Sequence, residues 1–182
     1  MRVIAGVAKG RRLVIARGGG TRSATDRVRE TLFAILTPRL QDARVLDLFA
    51  GAGTLGIEAL SRGAATATFV ERSPEAVAAL RRNLRATKLE DRAEVIASGV
   101  QSYLGRVGGG TFDLVFCDPP FAEVELLGSV LAHDGLRRAA ARGLVVVRVM
   151  RKHPPALAED LGLVRERVIG EESLLLLEYI PG

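Results

Sequence analysis

The chain is poor in the residues that most catalytic chemistry uses. Among 182 residues there is one cysteine, Cys117, there are two histidines, His133 and His153, and tryptophan is absent. One cysteine makes no internal disulfide or zinc cage, and with only two histidines beside it the composition argues against metal chemistry and Ser-His triads. No apolar run approaches the ~20 residues of a membrane span, and the N-terminus lacks the apolar stretch of a signal peptide, which points to a cytoplasmic protein. Aromatics are only 4% of the chain, but 48% of it is hydrophobic and 26% charged, a globular balance large enough for one self-sufficient core.

The net charge of +5 is unevenly placed. Residues 1–44 hold ten Arg or Lys against three Asp or Glu, and the rest of the chain is slightly acidic. The anionic partner that such a charge implies is therefore met by the N-terminal segment. There, Arg2-Val3-Ile4-Ala5-Gly6 and Arg12-Leu13-Val14-Ile15-Ala16 read as a β-hairpin, Gly18-Gly19-Gly20 as a break, and Thr25 to Leu36 as a helix showing Arg27 and Arg29 on its polar face. Residues 1–24 are thus a basic hairpin extension and 25–182 the main domain. Lys9, Arg11, Arg12, Arg22, Arg27 and Arg29 are its candidate nucleic-acid contacts, though a charged hairpin that merely guards a sheet edge has the same composition.

From Arg44 onward strand and helix alternate. Short β-branched runs at 44–48, 66–70, 93–97, 112–117 and 143–149 are separated by helical stretches at 54–61, 74–87, after Gly99, and 123–141. This is the winding of an open parallel sheet. Two final strands, 163–169 and 174–180, are too closely joined to be anything but antiparallel. The expectation is an α/β fold with a mostly parallel seven-stranded sheet closed by a C-terminal hairpin.

Two motifs sit at strand ends. Asp47-Leu48-Phe49-Ala50-Gly51-Ala52-Gly53-Thr54-Leu55-Gly56 leaves the first strand, turns on glycines and enters a helix, and Glu71 ends the second strand. The pattern fits a dinucleotide fingerprint, but Asp47 is poorly placed beside a pyrophosphate and well placed beside a cationic cofactor such as S-adenosylmethionine. Gly51 and Gly53 let the backbone approach the ligand, and Glu71 is the ribose acceptor for either cofactor. The second motif, Asp118-Pro119-Pro120-Phe121, ends an apolar strand. A carboxylate and a rigidly held carbonyl can accept both hydrogens of an exocyclic amine, and Phe121 offers a stacking face for a flipped base.

Together with the blocks at 2–6, 9–13 and 25–33, these motifs resemble the RsmD family, bacterial small-subunit ribosomal RNA guanine-N2 methyltransferases of the Rossmann-like class I. The resemblance covers nearly the whole chain. It implies methyl transfer from S-adenosylmethionine to a guanine amine of 16S ribosomal RNA, within a small ribosomal subunit. Apart from the resemblance, no metal is expected from the composition, and a monomer is the favoured state. It assigns Asp47, Gly51, Gly53, Glu71, Gly99 and Val100 to the cofactor and Asp118, Pro119 and Phe121 to the base. Many members carry an Asp after the third strand, where this chain reads Ser98-Gly99-Val100, so the adenine amine needs another acceptor, a backbone carbonyl or Ser98. Amino-methyltransfer to DNA adenine or protein glutamine, and a non-catalytic RNA-binding assembly module, are the rival readings.

Overall fold

The computed structural model describes residues 1–15, 24–108 and 112–180. Arg22 and the triple glycine lie outside them. Seven strands form one sheet: β1 (Arg44–Leu48), β2 (Thr66–Glu71), β3 (Ala93–Ala97), β4 (Leu114–Cys117), β5 (Leu144–Met150), β6 (Leu161–Ile169) and β7 (Glu172–Tyr179). Their order across the sheet is β3-β2-β1-β4-β5-β7-β6, parallel except for β7, which runs antiparallel to both β5 and β6. The winding reverses between β1 and β4, and the crevice at such a reversal is where ligands bind in sheets of this kind.

Six helices cover the sheet: α1 (Asp26–Leu36), α2 (Thr54–Ser61), α3 (Pro74–Thr87), α4 (Val100–Leu104), α5 (Val124–Leu131) and α6 (Asp134–Ala139). Local chemistry starts the longer ones. Thr25 caps α1 by accepting from the Val28 amide, and Ser73 caps α3 by accepting from the Ala76 amide, with Pro74 pre-set for its first turn. Alternation along the buried strands divides the core in two. Val45, Phe116 and Val146 pack with α1, α2 and α3 on one face; Leu46, Cys117 and Val147 pack with α4, α5 and α6 on the other. No helix among the described residues is long and apolar enough to cross a membrane.

Two expectations are corrected. The helix expected over 123–141 breaks after Leu131, where His133 Nδ1 accepts from the Gly135 amide and starts α6 afresh; a Cβ at Gly135 would collide with the Leu104 carbonyl, so α6 packs closely on α4. The C-terminal turn is only Gly170-Glu171, because Glu172 and Ser173 already pair in β7. Arg137 of α6 pairs with Asp160 at 2.6 Å and lies over the Tyr179 ring.

The N-terminal hairpin is a minimal one. Arg2 and Arg12 form a single antiparallel bridge, supported by Val3 N to Arg11 O and Leu13 N to Met1 O, both 2.9 Å. Val3, Ala8, Leu13 and Ala24 enter the same core as α1 and α2. The hairpin is fastened along α2: Glu58 accepts from the Ile4 and Ala5 amides, and Ser61 accepts from Val7 and Ala8.

Candidate active site

The turn from β1 into α2 needs three left-handed residues, Phe49 (φ 60°), Gly51 (φ 55°) and Gly53 (φ 80°). Gly53 has a second reason to be glycine, since a Cβ there would run into Leu80 of α3. The compact turn ends with the Gly56 amide donating to Asp47 Oδ2 at 2.9 Å. Asp47 is buried, and burial holds its carboxyl well above the ordinary range. The Gly56 hydrogen bond opposes this, while the charges of Asp118 and Glu71 add to it. Three carboxylates, at the carboxyl ends of β1, β2 and β4, thus lie close enough for the charges of Glu71 and Asp118 to act on Asp47.

Glu71 braces the crevice wall. Its Oε2 accepts from the Gly51 amide and its Oε1 from the Ser73 amide, each at 2.8 Å, so one side chain fixes both the glycine turn and the start of α3. Each oxygen keeps a lone pair for a further donor. The Ser98 amide donates to the Glu71 carbonyl, which sets Gly99 and Val100, at the start of α4, along the same rim. Ser98 Oγ itself donates to the Gly99 carbonyl. No atom lies within 4 Å of where a Cβ would stand on Gly51 or Gly99, so both glycines face open space.

Asp118 follows β4, in which Phe116 is paired with Asp47 across β1; two residues on, it emerges on the same face of the sheet. Its Oδ1 accepts from Arg148 Nε at 2.9 Å. Burial raises the Asp118 carboxyl, the Arg148 guanidinium lowers it through charge and hydrogen bond, and Glu172 raises it. The Arg148 guanidinium also lies 4.5 Å from the centroid of the Phe121 ring. Pro119, Pro120 and Phe121 line a small cleft with Arg148, Leu127 and His153. Cys117 points to the opposite face, and burial pushes its thiol up, so it stays an inert packing residue.

The exposed face of α1 carries Arg27, but Arg29 is fully buried, which corrects its placement among nucleic-acid contacts. Its guanidinium binds Asp26 and the Arg2 carbonyl at 2.8 Å and Glu58 at 3.4 Å. The hairpin covers this side of α1, so Arg29 joins hairpin, α1 and α2 instead of facing a ligand. Lys9, Arg11 and Arg12 are exposed.

Sequence reasoning missed two site residues. Arg148 stands alone among the apolar residues of β5, and a single arginine in a buried strand is a signal that pattern reading could have used. Asn83 of α3 is nearly fully buried and exchanges hydrogen bonds with the Val14 amide and carbonyl while donating to the Ala52 carbonyl. It ties the end of the basic hairpin to the glycine turn.

A buried carboxylate beside the glycine turn suits a cofactor with a cationic centre. With this strand order and its antiparallel closing hairpin, it makes the chain a class I S-adenosylmethionine-dependent methyltransferase. A family model described as Conserved hypothetical protein 95 matches residues 1–178. The chain is 38% identical to Ribosomal RNA small subunit methyltransferase D of Escherichia coli (strain K12), covering 98% of this chain and 89% of that protein. The protein of the same name from Haemophilus influenzae is 36% identical, with 98% and 93% covered. The solved structure of Escherichia coli yhhF superimposes with a TM-score of 0.82 at 36% identity, covering 100% of this chain and 99% of that one. The chain belongs to the RsmD family.

Proposed function

We propose that this enzyme methylates the exocyclic N2 amine of a guanine in small-subunit ribosomal RNA. The observation that carries the reading is the convergence of Asp47, Glu71 and Asp118 at the ends of β1, β2 and β4, beside the reversal of the sheet. In support, its relatives from Escherichia coli and Haemophilus influenzae bear the name of a small-subunit ribosomal RNA methyltransferase along nearly their whole length.

S-adenosylmethionine, when bound, supplies a methyl group on a sulfonium. Asp47 would hold the amino-acid end of that cofactor and Glu71 its ribose hydroxyls, with Gly51, Gly53, Gly99 and Val100 giving the backbone room to approach. Asp118 and the Pro119 carbonyl accept the two amine hydrogens, which localises the nitrogen lone pair and aims it at the methyl carbon. Asp118, raised by burial, would receive the proton that the amine sheds on methylation. Phe121 stacks on the base.

Residues 1–24 form the docking segment and residues 25–182 the catalytic domain, with Lys9, Arg11, Arg12, Arg22 and Arg27 as phosphate contacts that position the RNA. The test is incubation with methyl-labelled cofactor and separate pools of ribosomal RNA, small subunits, DNA and a glutamine-bearing protein, followed by nucleoside analysis. Label in N2-methylguanosine from the small-subunit pools is expected. Label in adenine or protein would overturn the reading.

A further inference from the structure

β5 carries one charged residue, and the strand register puts it against the methyl-acceptor motif. Val147 is paired with Cys117 across β4, so Arg148 stands beside Asp118, the next residue along. On the other side of β5, Met150 is paired with Glu172 of β7, which brings that carboxylate to the same guanidinium. Arg148 is only 6% exposed, and its contacts include Asp118 Oδ1 at 2.9 Å, Glu172 Oε2 at 3.3 Å, and the face of Phe121 at 4.5 Å. A cation this deeply buried is costly unless it is paired, and here the pairing falls on two members of one functional tetrapeptide.

We propose that Arg148 is the positioning residue of the methyl-acceptor site, fixing Asp118 through one carboxylate oxygen and Phe121 through one ring face, and leaving Asp118 Oδ2 to the incoming amine. The inference rests on the reading of Asp118 and Phe121 as the base-binding pair. Tied at Oδ1, the carboxylate cannot rotate, and the ring on which the base stacks cannot swing away. The Arg148 charge also lowers the Asp118 carboxyl against the effect of its burial, which favours the acceptor form that the amine needs. Among the described residues, the other titratable groups facing this corner are Glu172 from β7, Asp47 from β1, and Glu123 and His153 along the cleft beside Phe121. Lysine keeps the charge but has neither the planar group that lies on a ring nor the fork that binds two carboxylates at once.

The experiment measures methyl transfer to small-subunit ribosomal RNA between about pH 5 and 9 for Arg148→Lys, Arg148→Met, Arg148→Met combined with Glu172→Gln, and Asp118→Ala, with His153→Gln removing the cleft histidine. Arg148→Met should lower kcat by about 10²-fold, with cofactor affinity within a few-fold, and move the acid limb of the kcat profile to higher pH. The double variant removes the carboxylate left facing Asp118 and so guards the fold; its limb should still lie above the wild-type position, because Arg148 outweighs Glu172 at Asp118. Arg148→Lys should hold the limb near its wild-type position while kcat stays depressed. His153→Gln should leave the limb in place.

A folded Arg148→Lys with full kcat would overturn the inference, and so would a folded Met or double variant with the wild-type pH profile. If Asp118→Ala retains activity, the reading of the acceptor site fails instead. An inactive Asp118→Ala beside unchanged Arg148 variants defeats the inference alone.

Discussion

Glu58 and Arg29 are both fully buried and bonded to each other, yet deleting them should not cost the same. Glu58 has four donors: the amides of Ile4 (2.8 Å) and Ala5 (3.0 Å), Arg62 Nε (2.7 Å) and Arg29 Nη1 (3.4 Å). Arg29→Met leaves three of them and also removes a buried Nε that has no hydrogen-bond partner. Its cost is the loss of charge-assisted hydrogen bonds, about 1–3 kcal/mol. Glu58→Leu instead strands a guanidinium of zero exposure with the Arg2 carbonyl and a carboxylate, Asp26, that is mostly in solvent. It also frees the two amides that fasten the hairpin. Breaking a buried pair in that sense costs about 3–5 kcal/mol. At roughly 2–4 °C per kcal/mol for a chain of this size, Arg29→Met should lower Tm by about 2–12 °C and Glu58→Leu by about 6–20 °C. Combining them should cost less than the sum, because the guanidinium that Glu58→Leu strands is then absent. The chain has no tryptophan, so far-UV circular dichroism is the suitable probe. An Arg29→Met loss equal to that of Glu58→Leu, or strict additivity, would refute this account of the hairpin latch. So would an RNA affinity that falls with Arg29→Met while Tm holds, since that would return Arg29 to the docking surface.

Asp47→Asn should stabilise the cofactor-free protein at pH 8 yet weaken S-adenosylmethionine binding at least ~10-fold, seen by calorimetry. The sign follows from its raised carboxyl: the folded state binds this proton more tightly than the unfolded chain. Stability from this group is therefore full below about pH 4 and is lost as pH rises through the raised value. Asn keeps an acceptor for the Gly56 amide without the buried charge, so a lower Tm at pH 8 would contradict the argument. Asp118→Ala should abolish methyl transfer with cofactor affinity within a few-fold; parallel loss of both would move Asp118 into the cofactor site. The pair Arg11→Ala and Arg12→Ala should raise KM for RNA and flatten its salt dependence with kcat nearly unchanged, because phosphate contacts position without entering the chemistry. Unchanged kinetics with poorer solubility would mark the hairpin as an edge guard.

The amino-acid sequence by itself determined the elements and the two strand-end motifs, because each depends on the local backbone. Short β-branched runs make buried strands, glycines at 51 and 53 permit left-handed turns, and two successive prolines fix the backbone of the acceptor turn. Asp47, Glu71 and Asp118 could be placed in one crevice from sequence because parallel strands deliver their carboxyl ends to the same edge. Side-chain partnership lay beyond such reading. Helical spacing put Arg29 on the polar face of α1, but its fate was decided by Glu58, 29 residues away, and by a hairpin folding over both. Arg148 meets Asp118 across 30 residues only because β4 and β5 pair in one register, and it meets Glu172 only because β7 turns back antiparallel. Periodicity tells which way a side chain leaves its own element. What waits there for a buried charge is set by the packing of distant elements, and the tertiary structure alone decides it.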